Sequence, residues 1–383
     1  MGALRGRTYP PLRKFDPREE DGIFHVYLVA GIHPTIEAAG GTRSYVLGLA
    51  KALSLRGIHV AIVGAGPPTS VEFAEFLSVT PEYPISNYVF IRRLWKWVRR
   101  NPPLTGSIVN TMRPDDMYPY LAFAERCRLV CTLHGTPARA IAQRRSLGRL
   151  LYWYAERRSL HTAHWIVSVS AATLEFYLHR FPQLSRKSAV IPIGVDLFAF
   201  RPVERRVARS ELGLPNVPIM LFAGRIAPEK RIAVPIEALR GLEGSPLLLI
   251  AGGEPRKGDG LSIPENAPVR FLGTVPHHQM PTLLSAADVL VLSSSFEGLP
   301  TVVLESFACG TPVFATAVGD LPRVLIEGRT GFFFDGTSAG LRNLILRRWD
   351  SLHSMRQSCV EAAQAFGWDA IADRIAGVYR HAA

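Results

Sequence analysis

Cysteine is scarce. Four occur in 383 residues, Cys127, Cys131, Cys309 and Cys359, too few for a disulfide framework. Cys127 and Cys131 are spaced C-x3-C, but no second Cys/His pair stands near them to complete a zinc site, so buried, reduced thiols are expected. Long apolar runs are missing too: none approaches the roughly 18 residues of a membrane-spanning helix. No apolar segment precedes Ile23, so no signal peptide is read. Met1-Gly2 lacks the downstream Ser or Thr that myristoylation wants. There is no Asp-x-Asp and no dense carboxylate cluster, so no metal site is read. Gly64-Ala65-Gly66 is not a dinucleotide fingerprint, because it follows the wrong strand and runs into Pro67-Pro68.

Acidic residues are the remaining shortage. Asp and Glu number 32 against 44 Lys and Arg, a net charge of +12. The excess is uneven: residues 1–200 hold 25 Lys and Arg against 14 Asp and Glu, and the remainder 19 against 18. A strongly basic half beside a nearly neutral one points to an anionic partner for the first half. Composition otherwise describes a globular protein, with 48% hydrophobic and 20% charged residues. A chain this long exceeds one core, so two domains are expected.

Residues 1–20 are Arg- and Pro-rich without apolar periodicity and are read as a mobile basic arm. From residue 21 to 195, apolar β-branched runs alternate with helical patterns, as in a doubly wound α/β domain. Phe24–Ala30 is the first strand, and a helix is expected from about Arg43 to Leu55. Gly40-Gly41 at that junction either lets backbone amides approach a phosphate at the helix start or simply supplies positive φ. Arg128–Leu133 is a strand ending in His134-Gly135, which places His134 where such folds bind ligands. A long basic helix follows from about Ala138 to Thr162. Residues 196–365 restart the alternation without a clear sequence repeat. Residues 366–383 form a last helix that crosses back to the first domain.

Ile91–Arg100 packs five basic residues and two tryptophans into ten positions with no acid. Leu94, Trp97 and Val98 share one helical face. Arg92, Arg93, Trp95 and Lys96, with Trp97, then suit an anionic membrane surface, unless the apolar face docks on the protein's own core. Arg113, ending a strand-like segment, either reaches an acceptor phosphate or pairs with Asp115 or Asp116.

The stretch Ser294–Val313 organises the second half. Asp288–Leu292 has the length of a buried strand, Pro300 suits the first position of a helix, and Gly310 stops that helix near Cys309. Glu297 falls on the loop and Glu305 inside the helix beside the apolar Leu304/Ala308 strip. A carboxylate there is costly unless paired, and a sugar or ribose diol can pair it.

The pieces together resemble the retaining nucleotide-sugar glycosyltransferases of family four, with the GT-B fold of two Rossmann-like doubly wound domains facing a cleft. The motifs run in family order: Gly40-Gly41-Thr-Arg, His134-Gly135, Ile191–Asp196, Gly224-Arg225…Glu229-Lys230, Phe271–Thr274, Phe296-Glu-Gly-Leu-Pro…Glu305, Gly310–Val313 and Gly328–Phe332. The resemblance implies that Arg225 and Lys230 hold the pyrophosphate, Glu305 the ribose and Glu297 the transferred sugar beside the Gly298-Leu299-Pro300 backbone. It places Gly273-Thr274-Val275 at the nucleobase, His134 near the reacting carbon and Gly40-Gly41 behind the pyrophosphate. Catalytic roles fall to His134, Glu297, Arg225 and Lys230. Gly319-Asp320-Leu-Pro322-Arg323 departs from the family's Gly-Gly-Ile/Leu-Pro-Glu; Asp320 and Arg323 either retune the donor or form an ion pair.

The expected enzyme is a retaining, metal-independent hexosyltransferase with no cofactor beyond its nucleotide-sugar substrate. Its acceptor is phosphate-bearing or lipid-linked, and its place is the cytoplasm, peripheral on the inner face of the membrane. A GT-B epimerase or a sugar-phosphate synthase with a soluble acceptor is the alternative. A pI near 9.9 would also suit a nucleic-acid binder, but no nucleic-acid motif is present.

Overall fold

A computed structural model describes residues 25–36, 41–136, 146–254, 263 and 267–382. The expected arm at 1–20, Gly40 and the start of the basic helix at 138–145 lie outside them. Packing divides the chain into two units. One comprises residues 1–168, 181–191 and 369–383, the other 169–180 and 192–368.

The first unit is built on seven parallel strands: β1 (His25–Val29), β2 (His59–Gly64), β3 (Glu75–Ser78), β4 (Ile108–Thr111), β5 (Arg128–Leu133), β6 (Trp165–Ser168) and β7 (Ser188–Val190). Their order is β3-β2-β1-β4-β5-β6-β7, with the reversal between β1 and β4 that marks a doubly wound sheet. β4 is buried throughout, polar Asn110 and Thr111 included, as expected of a central strand in a parallel sheet covered on both faces. The first crossover helix, Gly41–Ser54, starts two residues before the expected Arg43 and buries Tyr45, Val46, Leu49, Ala50 and Leu53. β7 ends at Val190, two residues before Pro192, which has no N–H to give the ladder.

The second unit carries β8 (Ile219–Ala223), β9 (Leu247–Ala251), β10 (Val269–Gly273), β11 (Val289–Leu292), β12 (Val313–Thr316) and β13 (Gly331–Phe334). Their order is β10-β9-β8-β11-β12-β13. The order of the first unit's first six strands is thus repeated, with the reversal between β8 and β11, although no sequence repeat announces it.

Two segments depart from a single cut near residue 195. The helix Ala171–Arg180 belongs to the second unit, because the Asp320 carboxylate accepts the N–H groups of Ala171 at 2.6 Å and Ala172 at 3.2 Å. The last helix, Trp368–Ala382, lays Ile371, Ala372, Ile375, Val378 and Tyr379 into the core, and from Asp369 onward it groups with the first unit. Arg56 ties it down through Asp373 at 2.7 Å and Asp369 at 3.3 Å. Asn110 donates to the Tyr379 hydroxyl at 2.8 Å.

Candidate active site

In the second unit the chemistry gathers at the C-terminal ends of β8 and β11, the two strands that flank the reversal. Side chains 67 positions apart meet there: Lys230 Nζ forms an ion pair with Glu297 Oε1. Both are largely withdrawn from solvent, at 19% and 13% side-chain exposure. Ser294 Oγ donates to the same Glu297 oxygen at 2.8 Å. The two loops are stitched together beneath the pair. Ser293 Oγ donates to the carbonyls of Lys230 and Arg231 at 2.8 and 3.0 Å, and Arg231 Nε returns to the Ser293 carbonyl at 2.7 Å. Arg231 takes a left-handed φ of 45° to make this reach, so the site is preorganised by backbone the motif alone does not mark. Arg225, by contrast, is 72% exposed and stands 4.0 Å from Glu229.

Glu305 lies on the helix Thr301–Ala308. Pro300 serves as that helix's cap rather than its first residue, and Cys309 lies beyond its end, followed by Gly310 at φ 71°. The carboxylate is 14% exposed and meets His277 Nε2 at 3.3 Å. Sequence reasoning missed His277; the signal was Pro276-His277-His278 directly after the Gly273–Val275 segment assigned to the nucleobase. The β8, β9 and β10 ends are knit closely there. Gly252 and Gly253 donate to the Gly273 carbonyl at 2.8 and 3.2 Å. A Cβ on Gly252 would stand 2.0 Å from the Gly224 carbonyl oxygen. Thr274 and Val275 continue from that point.

The Gly319-Asp320 departure has a structural cause. Gly319 sits at φ 57°, and a Cβ there would fall 2.2 Å from the Glu297 carbonyl oxygen. Asp320 N donates to the Gly298 carbonyl at 3.0 Å. The segment therefore braces the Glu297-Gly298-Leu299-Pro300 loop from behind. Asp320's carboxylate caps the helix Ala171–Arg180 instead of pairing closely with Arg323. Arg323 stands 4.0 Å from Asp320 and 3.4 Å from Glu175.

In the first unit, Gly41 opens its helix after β1, where backbone N–H groups are left without intrahelical partners. His134 follows β5, with Nε2 3.4 Å from Met112 Sδ and its ring edge-on to Tyr45 at 4.7 Å. Burial pushes its pKa down to about 4, so the imidazole is uncharged at neutral pH. Arg113 is paired with Asp115, with Nε 3.0 Å from Oδ1, the second of the two alternatives open for it. The same fold buries Asp116 beside them, and desolvation raises its pKa to about 7.

The basic helix spans Asn87–Arg100, and its buried stripe is Phe90, Leu94 and Val98. This corrects the expected Leu94/Trp97/Val98 face: Trp97 is half-buried, while Arg92, Trp95, Lys96, Arg99 and Arg100 are exposed. The Arg99 guanidinium lies 4.9 Å above the Trp95 ring. Arg93 is held by Glu82 at 2.8 Å. A second surface of this kind went unread. Leu150, Leu151, Trp153 and Tyr154 are exposed on the helix Ser146–Thr162, beside exposed Arg149, Arg157 and Arg158. Their signal was a helix without a single apolar stripe. Among the described residues no helix is long and apolar enough to cross a membrane.

The model for glycosyltransferase family 4 matches residues 39–197, and the model for glycosyl transferases group 1 matches residues 204–366. Between them they take in most of the chain and every strand of its two sheets but β1. The chain belongs to the family-four glycosyltransferases. Its two Rossmann-like units make the GT-B fold. D-inositol 3-phosphate glycosyltransferase from Streptomyces avermitilis is 37% identical over 217 residues, which are 50% of this chain and 46% of that protein. The chain thus spans about half the length of the curated relatives it matches. Sucrose-phosphate synthase from Thermosynechococcus elongatus superposes with a TM-score of 0.75 at 24% identity, covering 93% of this chain and 98% of that one. Anabaena HepE, solved in complex with UDP-glucose, superposes with a TM-score of 0.67 at 18% identity, covering 92% and 98%.

Proposed function

We propose that this chain is a retaining hexosyltransferase. In this reading the second unit holds a nucleotide-diphosphate sugar and the basic first unit receives a phosphate-bearing acceptor. The observation that carries it is the Lys230–Glu297 pair at the reversal of the β8/β11 sheet, with Glu305 on the helix that follows.

Departure of a nucleoside diphosphate builds negative charge on its outer phosphate, and preorganised cations there lower the barrier. Lys230 is such a cation, and exposed Arg225 adds a planar fork for phosphate oxygens. On donor binding Lys230 exchanges part of its contact with Glu297 for phosphate, and Glu297 accepts hydrogen bonds from the sugar hydroxyls. Glu305, steadied by His277, accepts both ribose hydroxyls. The acceptor hydroxyl attacks the anomeric carbon on the face the leaving group departs from. The bond from carbon to phosphate oxygen breaks, and the departing phosphate takes the acceptor's proton. Glu297 is therefore a binding group and not a covalent nucleophile. The two side-chain cations at the phosphates support a reaction that needs no metal.

For the acceptor, the first unit's charge and the inositol-phosphate relatives support a phosphate group. The exposed Trp95 and the Leu150–Tyr154 surface, each among arginines, support its being carried on a lipid at an anionic membrane surface. A soluble sugar or polyol phosphate is the second reading, favoured by the relatives' names.

A calorimetric screen against UDP-, GDP- and ADP-sugars is expected to find one that binds and turns over, with activity unchanged by a chelator. Lys230→Ala should then lower kcat by roughly 100- to 1,000-fold with the circular dichroism spectrum intact. Wild-type turnover in that variant would sink the pyrophosphate assignment.

A further inference from the structure

The second unit has another concentration of charge, at the other end of its sheet. Asp288 immediately precedes β11 and Ile219 opens β8, and the two are joined there: Ile219 N donates to Asp288 Oδ2 at 2.7 Å. The Lys230–Glu297 loops leave the opposite ends of these strands, about 13 Å away along a four-residue strand such as β11. Beside Asp288 lies a cleft of about 480 Å³ walled by Arg205, Arg206, Arg209 and Arg356. That volume lies in the range of small-molecule sites.

The local acids do not balance these cations. Asp288 is shared by Arg205 at 2.6 Å and Arg209 at 2.9 Å. Arg209 is fully engaged, because it also donates to the Ala286 carbonyl at 3.0 Å and to Asn216 Oδ1 at 3.1 Å. Glu204, the other carboxylate of the cleft, turns to the Val207 N–H at 2.9 Å and caps the helix Arg205–Glu211. Arg206 stays exposed on the wall. Nε of Arg205 and Nη1 of Arg356 are buried and have no acceptor among the described residues. A buried guanidinium N–H without an acceptor is destabilising. Four guanidinium groups on one cleft, with a single carboxylate paired to two of them, leave an excess of planar donors suited to a tetrahedral oxyanion.

We propose that this cleft is a second anion site, which binds a phosphoryl group either free or carried by a small molecule. It is separate from the donor site, and it stands whether or not the donor assignment does. Arg205 and Arg356 line the cleft, Arg206 adds the solvent-side cation, and Arg209, held by Asp288, completes the wall.

The test titrates inorganic phosphate and, separately, glucose 6-phosphate into the full chain bearing Lys230→Ala, which removes the donor-side cation. Calorimetry at low, constant ionic strength is expected to show saturable one-to-one binding. Arg356→Gln in that background should weaken it at least tenfold, and Arg206→Gln about threefold. Equal affinities for the two probes identify free phosphate as sufficient, and tighter glucose 6-phosphate binding identifies an organic carrier; either supports the site. Absence of binding by both probes in the Lys230→Ala protein overturns it, as does undiminished affinity in the two Arg→Gln variants. Arg206 is exposed, so Arg206→Gln keeps the test decisive if Arg356→Gln fails to fold.

Discussion

Lys230 and Glu297 illustrate what a single residue can and cannot announce. A lysine after a strand and a glutamate ahead of a helix are each ordinary, and only their contact at the end of β8 and β11 makes them a site. His134 and Asp116 show the same dependence in their titration. The unfolded chain protonates a histidine near 6.5, whereas folded His134 holds out to about 4. Its contribution is intact above pH 6.5 and is lost as the pH falls toward 4. Asp116 works in the opposite sense: its folded pKa is raised from 3.8 to about 7, so stability is greatest below pH 4 and declines as the pH rises through 7. The two effects oppose each other in one window. Relative to wild type, His134→Asn should gain stability on acidification from pH 6.5 to 4.5, and Asp116→Asn should lose it, each by up to about 1.4 kcal/mol per pH unit. Urea midpoints across that range check this, and parallel curves for all three proteins would refute it.

At the scale of elements, strands were the most legible, because buried parallel strands must be apolar nearly throughout and their runs stand out. The helix Thr301–Ala308 was legible for a related reason, with Pro300 ahead of it and Gly310 behind. Attachment was not. The helix Ala171–Arg180 follows β6 in sequence, yet Asp320, about 150 residues on, supplies its buried cap and assigns it to the other unit. Removing that carboxylate in Asp320→Ala should cost roughly 1–2 kcal/mol, seen as a lower thermal midpoint, while Arg323→Ala should change little. Equal effects would mean that the Arg323 contact, not the cap, matters. The Asn87–Arg100 helix was recognised as amphipathic with Leu94 and Val98 on its buried face; the third buried residue is Phe90, just outside the segment read, and not Trp97. Its outward Trp95 and cations are expected to carry the protein with anionic vesicles in flotation. Trp95→Ser combined with Arg92→Ser and Lys96→Ser should abolish this, and failure of the wild type to float would favour the soluble acceptor.

For the whole molecule, charge asymmetry and the two-unit plan followed from composition and alternation. The path of the chain between units did not. A cut near residue 195 removes from the first unit the 369–383 segment, whose Ile371, Ile375, Val378 and Tyr379 fill its core. It also strips Asn110 of the Tyr379 hydroxyl. A fragment of residues 21–195 is therefore expected to lack a cooperative unfolding transition, and the same fragment supplied with residues 369–383 to regain one. A sharp transition in the shorter fragment would show that the last helix is dispensable.

The sequence by itself determined the α/β class, the order of the motifs, the family and the residues that could hold a donor, because those follow from local periodicity and from residue types at fixed spacing. Tertiary structure alone decided which of them meet. It placed Lys230 against Glu297 and His277 against Glu305, committed Arg113 to Asp115, turned Asp320 into a helix cap and gathered four arginines on one cleft, two of them paired with Asp288. Those pairings depend on strand order and on the approach of distant loops, and neither leaves a mark in the spacing of neighbouring residues.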